Sequence, residues 1–262
     1  MKRKLKIILL PVLILISGCS YQGPLAPDDS DPYEKTNRGI FEFNEDLDKA
    51  VLEPVADGYD VIIPEPVQSG FINFFNNAEY PITIANLLLQ GKPLESIEGL
   101  FRFTINSTIG LLGILDPASK MGLNANDEDF AQTLGVWGVD QGSYIMTPFL
   151  GPYTVRHGFG DLIDNVFNPI SYIDNGVSRY GLKIIDKIQE RSDLSALEDE
   201  LYGSYDPYQY LRDSYIQNRN YKMNKSLILL NFLILSGSKG GDEVLYHQPL
   251  GLLQNSSRLI IM

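Results

Sequence analysis

The chain has 262 residues, with 21 Lys and Arg against 33 Asp and Glu, and a formal net charge of −12. Its 44% apolar and 21% charged residues are typical of a chain that buries a core and not of an intrinsically disordered one. The single cysteine excludes an intrachain disulfide and a thiolate zinc site, and the acidic charge argues against nucleic acid as a partner.

Residues 1–18 predict a lipoprotein signal peptide. Four basic residues lie within the first six positions, and an apolar run follows over 7–16. That run is too short to cross a bilayer, which needs about 20 apolar residues. It ends in Ser17-Gly18-Cys19, which matches the bacterial lipobox, where signal peptidase II cleaves before a cysteine that carries diacylglycerol on its sulfur. We therefore predict that Cys19 is the lipidated first residue of the mature chain.

The residues after the signal peptide indicate where the mature chain is held. Ser20 follows the cysteine, which favours the outer membrane under the sorting rule of Gram-negative cells. Loss of residues 1–18 removes four positive charges, so the mature chain is even more acidic and is not drawn to anionic lipid. Acyl chains and apolar surface must therefore hold it. We expect a lipid-anchored, partly embedded, periplasm-facing protein, with residues 19–30 as a flexible tether.

The mature chain predicts a mainly α fold with little β structure. Asp31-Pro32-Tyr33-Glu34 has the N-cap, N1 and N3 residues of a helix start, and Asp206-Pro207-Tyr208-Gln209 repeats the pattern. The Gly-rich stretch 131–160 predicts loops with at most a short hairpin. The predicted helices cover 32–51, 67–76, 81–90, 94–110, 161–167, 170–190, 193–201 and 207–220.

Two stretches, 71–91 and 100–115, are apolar on more than one helical face. Asn76, Asn77, Glu79 and Pro81 interrupt the first stretch, and Arg102 interrupts the second, so neither is a clean transmembrane span. Two interpretations remain open from periodicity alone. The helices are either fully buried in a compact core, or part of a helical body that is partly immersed in lipid.

The sequence offers no positive sign of an enzyme. Ser143, His157 and Asp161 are the residues from which a hydrolase triad could be built, but the G-x-S-x-G elbow is missing. The acidic segment 124–129 lacks the central Gly and the terminal Glu of an EF-hand calcium loop. We therefore interpret this segment as a solvated turn that caps the next helix. Neither a Walker A sequence nor a dinucleotide fingerprint occurs. We expect no catalytic residue, no metal and no cofactor.

A series of motifs resembles the MlaA (VacJ) lipoprotein family. The opening motif is DPYEKTNRGIFEFN at 31–44, and the most specific block is DFAQTLGVWGV at 129–139. Further matching segments occur in the same order at 64–77, 86–91, 102–110, 116–118, 142–144 and 148–152, followed by Arg156. The closing motif combines Asp206-Pro207-Tyr208 with Arg212, Tyr215 and Arg219. The resemblance therefore predicts one family domain over residues 31–220.

The resemblance implies a transport component. Such proteins form an α-helical ring in the outer membrane, associate with a porin trimer, and take misplaced phospholipid from the outer leaflet through an amphipathic channel to a soluble periplasmic carrier. We select Arg179, on the amphipathic stripe of 170–190, as the candidate headgroup contact. A solvent-facing arginine is the alternative. The alternatives for the whole chain are a structural porin-associated lipoprotein without transport, and a secreted lipid hydrolase.

The sequence departs from the family pattern after Arg219. Residues 226–235 are almost wholly apolar but too short to span a membrane. Two explanations stay open for the tail 221–262: an extra helix that contacts the membrane, or the product of a shifted reading frame at a decayed terminus. We expect this tail to be irregular or disordered.

Overall fold

The computed structural model of the protein describes residues 31–194 and 198–236. Helices dominate these residues, and a single pair of short strands accompanies them, which confirms a mainly α fold with little β structure. The elements are α1 (Glu34–Leu47), a π-helical turn (Asp48–Leu52), α2 (Glu53–Ile62), α3 (Glu65–Leu89), α4 (Pro93–Thr108), α5 (Pro117–Lys120), α6 (Phe130–Val136), β1 (Tyr144–Thr147), β2 (Gly151–Thr154), α7 (Val155–Phe167), a 3₁₀ turn (Pro169–Tyr172), α8 (Gly176–Leu194), α9 (Glu198–Tyr202) and α10 (Pro207–Ser236).

The first helix differs from its prediction at both ends. It begins at Glu34, and the chain then stays helical beyond residue 51, through the π-helical turn and α2. Asp31 does not cap it, because its carboxylate accepts hydrogen bonds from Asn37 Nδ2 at 2.7 Å and from the Tyr208 hydroxyl. A carboxylate engaged by two side chains is not available to the first N–H groups of the helix. The prediction of an Asp31 cap is therefore wrong.

The last helix begins as predicted and ends later. Asp206 Oδ1 accepts a hydrogen bond from the Gln209 backbone N–H at 3.2 Å, as an N-cap residue does. Helix α10 then continues beyond residue 220 to Ser236. Residues 237–262 of the predicted tail lie outside the described residues.

A proline lies inside helix α3, where the sequence predicts a break. The sequence predicts two separate helices at 67–76 and 81–90, but one helix runs from Glu65 to Leu89 with Pro81 in its interior. Proline removes one backbone hydrogen bond, which usually kinks or ends a helix. Buried side chains on both sides of the proline, among them Tyr80 before it and Asn86 after it, hold the helix through this point.

The region between residues 155 and 202 keeps its predicted helices with shifted bounds. Helix α7 starts at Val155 instead of 161, because the Thr154 side chain accepts a hydrogen bond from the His157 backbone N–H and caps the helix there. The segment predicted as one helix over 170–190 is divided into the 3₁₀ turn and α8. The predicted helix at 193–201 corresponds to the end of α8 and to α9, with residues 195–197 not described.

Helix α1 packs against the hairpin through two asparagines spaced seven residues apart. Asn37 Oδ1 accepts from the Met146 N–H at 2.9 Å, and its Nδ2 donates to the Tyr144 carbonyl at 3.3 Å. Asn44 in the same way accepts from the Phe149 N–H at 2.9 Å and donates to the Thr147 carbonyl at 2.9 Å. These amides satisfy backbone groups of β1 and the turn, so a helix takes the place of a third strand.

The first helix of the described chain meets the beginning of the last helix. Arg38 on α1 pairs with Asp206 at 2.8 Å, and its guanidinium lies 4.4 Å from the centre of the Tyr208 ring. The apolar core at this end contains residues from α1, β1, α9 and α10, namely Phe41, Tyr144, Met146, Leu201, Tyr208, Leu211 and Tyr215. The opening and closing motifs of the sequence therefore support one another structurally.

Candidate functional site

Helix α4 turns its polar side chains inward and its apolar side chains outward. Ser96, Arg102 and Asn106 on its inner face are buried. The opposite face exposes aliphatic and aromatic side chains, and Phe101 and Leu94 are exposed by 60% and 67%. This is the reverse of a helix on the surface of a water-soluble protein. The interpretation that this helix is fully buried in a compact core is therefore wrong.

Exposed apolar side chains also occur well beyond α4. Large exposed apolar patches mark contacts with a membrane or with another protein. Within residues 31–194 and 198–236, no helix is long and apolar enough to cross a membrane. Among the most exposed apolar residues of the other elements are Val61, Ile62, Leu88, Ile109, Leu111, Leu112, Met121, Leu162, Phe167 and Val177.

Two adjoining cavities lie among the described elements. The first has a volume of about 610 Å³ and the second about 400 Å³. Most of the residues that line the two cavities are polar or charged, and they belong largely to α3, the segment before α6, α7, α8 and α10. The residues that line both cavities are Glu79, Thr83, Asp127, Glu128, Asn218 and Lys222.

One wall of the first cavity is a network around Asp116. Arg102 donates to Asp116 Oδ2 at 2.6 Å, and Asn106 Nδ2 donates to Asp116 Oδ1 at 2.9 Å. Burial acts to raise the pKa of the Asp116 carboxyl, but hydrogen bonds from Ser119, Asn106 and Arg102 lower it to about 2. The network therefore keeps a charged carboxylate at the cavity under all physiological conditions.

Asparagines of helix α3 also line the first cavity. Asn77 Nδ2 donates to the Ser107 hydroxyl at 2.9 Å, and Asn73 Nδ2 donates to the Ile114 carbonyl at 3.2 Å. These contacts hold the loop after α4, whose residues Leu111 and Leu112 adopt positive φ values of 54° and 61°. The asparagines that interrupt the apolar sequence of α3 therefore face the cavity and fix a strained loop.

The acidic segment Asp127–Asp129 contributes to the lining of the cavities, and each of its carboxylates pairs with a different cation. Asp127 pairs with Lys222 at 2.5 Å, and Glu128 pairs with Lys92 at 2.8 Å. Asp129 caps helix α6 and binds Arg219 through both of its oxygens, at 2.5 and 3.1 Å. Ion pairs thus occupy the segment that resembled a calcium loop, and the described residues contain no cluster of three or more metal-ligating side chains.

The pair of Asp129 and Arg219 links the start of α6 to α10. Burial by itself would raise the pKa of the Asp129 carboxyl, but the Arg219 guanidinium holds it below its usual range. Arg219 is almost fully buried, and this carboxylate is the group that keeps it charged there. Both side chains line the second cavity, so the pair fixes one side of that space.

The titratable groups on α7 have shifted pKa values. Burial, together with the nearby Arg219, lowers the pKa of His157 to about 3, so its ring is neutral. Its Nδ1 atom lies 2.7 Å from the Tyr215 hydroxyl, and within the described residues no hydrogen bond joins it to Ser143. Burial raises the pKa of Asp164 to about 6, although it accepts a hydrogen bond from the Phe130 N–H at 2.8 Å.

The residues selected from the sequence lie in different places. Cys19 lies outside the described residues. Arg179 on α8 donates to the Ser171 carbonyl at 3.3 Å and lies 5.1 Å from the Tyr180 ring centre, and it is not among the residues that line either cavity. Its role as a headgroup contact stays a prediction. The second cavity also contains Lys183, one helical turn further along α8, which the sequence did not single out because nothing there distinguishes it from the other lysines of this helix.

Comparisons with known proteins agree with one another. The sequence profile of the MlaA lipoprotein family matches residues 29–222. The chain is 32% identical over 228 residues to the intermembrane phospholipid transport system lipoprotein MlaA of Escherichia coli (strain K12). The aligned region covers 86% of this chain and 90% of the relative. The protein of the same name in Haemophilus influenzae is 32% identical over 233 residues, covering 86% and 92%.

An uncharacterized protein of Rickettsia typhi is 35% identical over 191 residues, covering 72% of this chain and 76% of the relative. One solved structure, from work on the structural basis for maintenance of bacterial outer membrane lipid asymmetry, matches with a TM-score of 0.68 at 32% identity. It covers 74% of this chain and 99% of that chain.

Proposed function

The chain belongs to the MlaA lipoprotein family, and we propose that it acts in intermembrane phospholipid transport, where it maintains the lipid asymmetry of the outer membrane. The named relatives in Escherichia coli and Haemophilus influenzae are lipoproteins of such a transport system. Identity of 32% over most of both chains supports the same role here.

The observation that carries this proposal is the reversed distribution of polar and apolar side chains. A phospholipid has two apolar tails and a charged headgroup, so a protein that moves it must offer a polar space within an apolar surrounding. The cavities of about 610 and 400 Å³ supply the polar space. The exposed apolar side chains of α4 and its neighbours supply a surface that lipid can cover.

We further propose that the protein is anchored to the outer membrane through Cys19, is partly embedded there, and faces the periplasm. The lipobox sequence supports the anchor, and the apolar exterior supports the embedding. Two or more acyl chains hold a protein stably to a membrane, and buried apolar surface adds to that attachment.

In the proposed path, phospholipid leaves the outer leaflet, passes the two cavities, and reaches a soluble periplasmic carrier, while a porin trimer holds the protein in the membrane. Asp127, Glu128 and Thr83 border both cavities, so the headgroup would pass these residues. Arg179 is proposed as a headgroup contact outside the cavities. It precedes the cavity residue Lys183 by one helical turn, so the two share a face of α8.

A bulky side chain at Thr83 tests the path. Thr83 is partly buried and lines both cavities, so Thr83→Trp would fill the space between them. Thr104→Trp is the matched control, because Thr104 lies on the exposed face of α4. The assay is outer-leaflet phospholipid in a deletion strain that expresses each variant at equal protein level. We expect accumulation with the deletion and with Thr83→Trp, and clearance with the wild type and with Thr104→Trp.

Two results would contradict the proposal in different ways. A deletion strain without outer-leaflet phospholipid would contradict a role in transport. Clearance by Thr83→Trp at the wild-type rate would contradict passage between the cavities, and would favour a structural lipoprotein that supports transport without carrying lipid.

A further inference from the structure

Two helices present opposite charges to the second cavity. Helix α7 contributes Asp161, and helix α8 contributes Lys183 and Lys187, which are one turn apart. Lys187 already pairs with Glu190 at 2.6 Å. Lys183 donates to the Ser171 hydroxyl at 3.4 Å and has no carboxylate within ion-pair distance among the described residues.

Asp161 is likewise engaged only weakly. Its Oδ2 atom accepts a hydrogen bond from the Tyr153 hydroxyl at 3.4 Å, and the described residues place no cation within ion-pair distance of it. Burial raises the pKa of the Asp161 carboxyl, whereas the charges of Lys187 and Lys183 act to lower it, so these lysines lie within electrostatic reach. Asp161 and Lys183 thus border the same cavity with opposite charges, and neither has an ion-pair partner among the described residues.

Two opposite charges without ion-pair partners, on the lining of one cavity, are suited to a ligand that carries both a positive and a negative charge. Most other charges of this cavity are already neutralised by a neighbour: Asp127 by Lys222, Asp129 by Arg219, and Glu190 by Lys187. A zwitterionic headgroup could place its phosphate at Lys183 and its ammonium group at Asp161. An anionic headgroup without an amine satisfies only Lys183, and it brings negative charge into a wall with eight acidic and four basic side chains.

We propose that the second cavity selects phospholipids whose headgroup carries an amine, with Lys183 as the phosphate contact and Asp161 as the ammonium contact. The inference rests on the proposed transport function and names the class of phospholipid for it. Asp161 supplies the selectivity, because only an amine-bearing headgroup offers it a cation. Lys183 binds the phosphate that all phospholipids share, so it supplies affinity without selectivity.

Competition between two lipids tests the selectivity. The full-length lipidated protein is purified in detergent and mixed with equal amounts of phosphatidylethanolamine and phosphatidylglycerol that carry the same acyl chains, and bound lipid is measured by native mass spectrometry. We expect the wild type to bind phosphatidylethanolamine about fivefold more than phosphatidylglycerol, the effect of one charge contact in a hydrated cavity. Equal binding of the two lipids by the wild type would overturn the proposal.

Substitutions assign the two contacts. Asp161→Asn should reduce binding of phosphatidylethanolamine to the level of phosphatidylglycerol, whereas Lys183→Gln should reduce binding of both lipids and Lys183→Arg should restore it. Asp213→Asn, on the exposed side of α10, is the control and should keep the wild-type ratio. An unchanged ratio in Asp161→Asn would overturn the proposal. If Asp161→Asn loses its helical circular dichroism, Lys183→Gln becomes the test. Reduced binding of only one of the two lipids by Lys183→Gln would overturn the assignment of Lys183 as the phosphate contact.

The outcome also separates this inference from the proposed function. A wild type that binds and clears phospholipid without headgroup preference would contradict the selectivity alone. Two results together would contradict the transport function itself: the purified wild type binds neither lipid, and the deletion strain accumulates no outer-leaflet phospholipid.

Discussion

Removal of the charge at Asp129 should destabilise the protein through Arg219. Asp129→Asn keeps the shape of the side chain and its ability to accept the Gln132 N–H, which Asp129 now binds at 2.7 Å. It removes the negative charge that Arg219 binds with two hydrogen bonds. The guanidinium is then left in a buried position without a counter-ion.

The size of the effect follows from the burial of the two partners. Loss of one partner of a fully buried ion pair destabilises a protein by about 3–5 kcal/mol. The Arg219 side chain is 8% exposed, but that of Asp129 is 26% exposed and borders a cavity that water can enter. The asparagine also retains one hydrogen bond to the guanidinium. We therefore expect a loss of about 2–3 kcal/mol in the free energy of unfolding.

Urea unfolding of the detergent-purified protein, followed by circular dichroism, measures this loss. The matched control is Asp213→Asn, which removes one of the two carboxylate partners of Arg212, the one that is 54% exposed. Exposed pairs contribute about 0–1 kcal/mol, so the control should unfold almost as the wild type does. A loss below about 1 kcal/mol for Asp129→Asn, or one equal to the control, would refute the reasoning.

The same pair predicts a dependence on pH. The folded pKa of Asp129 lies below its ordinary value, so its contribution to stability is complete at neutral pH. That contribution is lost as the pH falls below the ordinary aspartate pKa of about 4 towards the folded value. The stability difference between wild type and Asp129→Asn should therefore shrink in acid, and a difference that grows on acidification would contradict the sign.

Two further predictions concern the residues selected from the sequence. Cys19→Ala should abolish diacylglycerol attachment and cleavage by signal peptidase II, and mass spectrometry that finds an unmodified Cys19 in the mature wild type would overturn the lipoprotein anchor. Arg179→Glu should impair clearance of outer-leaflet phospholipid while stability changes by less than about 0.5 kcal/mol, because the residue is partly exposed. Normal clearance by that variant at equal protein level would eliminate Arg179 as a headgroup contact.

The sequence predicts those parts of the fold that depend on neighbouring residues. The cap at Asp206 follows from a local rule and occurs in the structure, and the helix predicted over 94–110 corresponds to α4 (Pro93–Thr108). The cap at Asp31 satisfies the same rule but is wrong, since Asn37 and Tyr208 bind its carboxylate. Tyr208 lies far along the chain, and contacts of that kind cannot be derived from local spacing.

The site was predictable only in its residue types. Asn77 and Arg102 stand out in the sequence because each interrupts an apolar run, and both line the first cavity. Their partners, among them Ser107 and Asp116, come from other elements, so the sequence could not assign them. For the same reason, Lys183 is indistinguishable in the sequence from other lysines on the polar face of α8.

Periodicity also leaves open which face of helix α4 is turned inward, because the same spacing of apolar residues describes a helix with either face inward. Its orientation is decided by partners: Arg102 and Asn106 both donate to Asp116. Leu94 and Phe101 on the opposite face remain exposed among the described residues. Buried polar groups require such partners, and exposed apolar groups require a surrounding other than water. Phe101→Ser should therefore weaken attachment to detergent or lipid, whereas Asn106→Leu should unfold the cavity wall. A reversal of these two effects would contradict the assigned orientation of the helix.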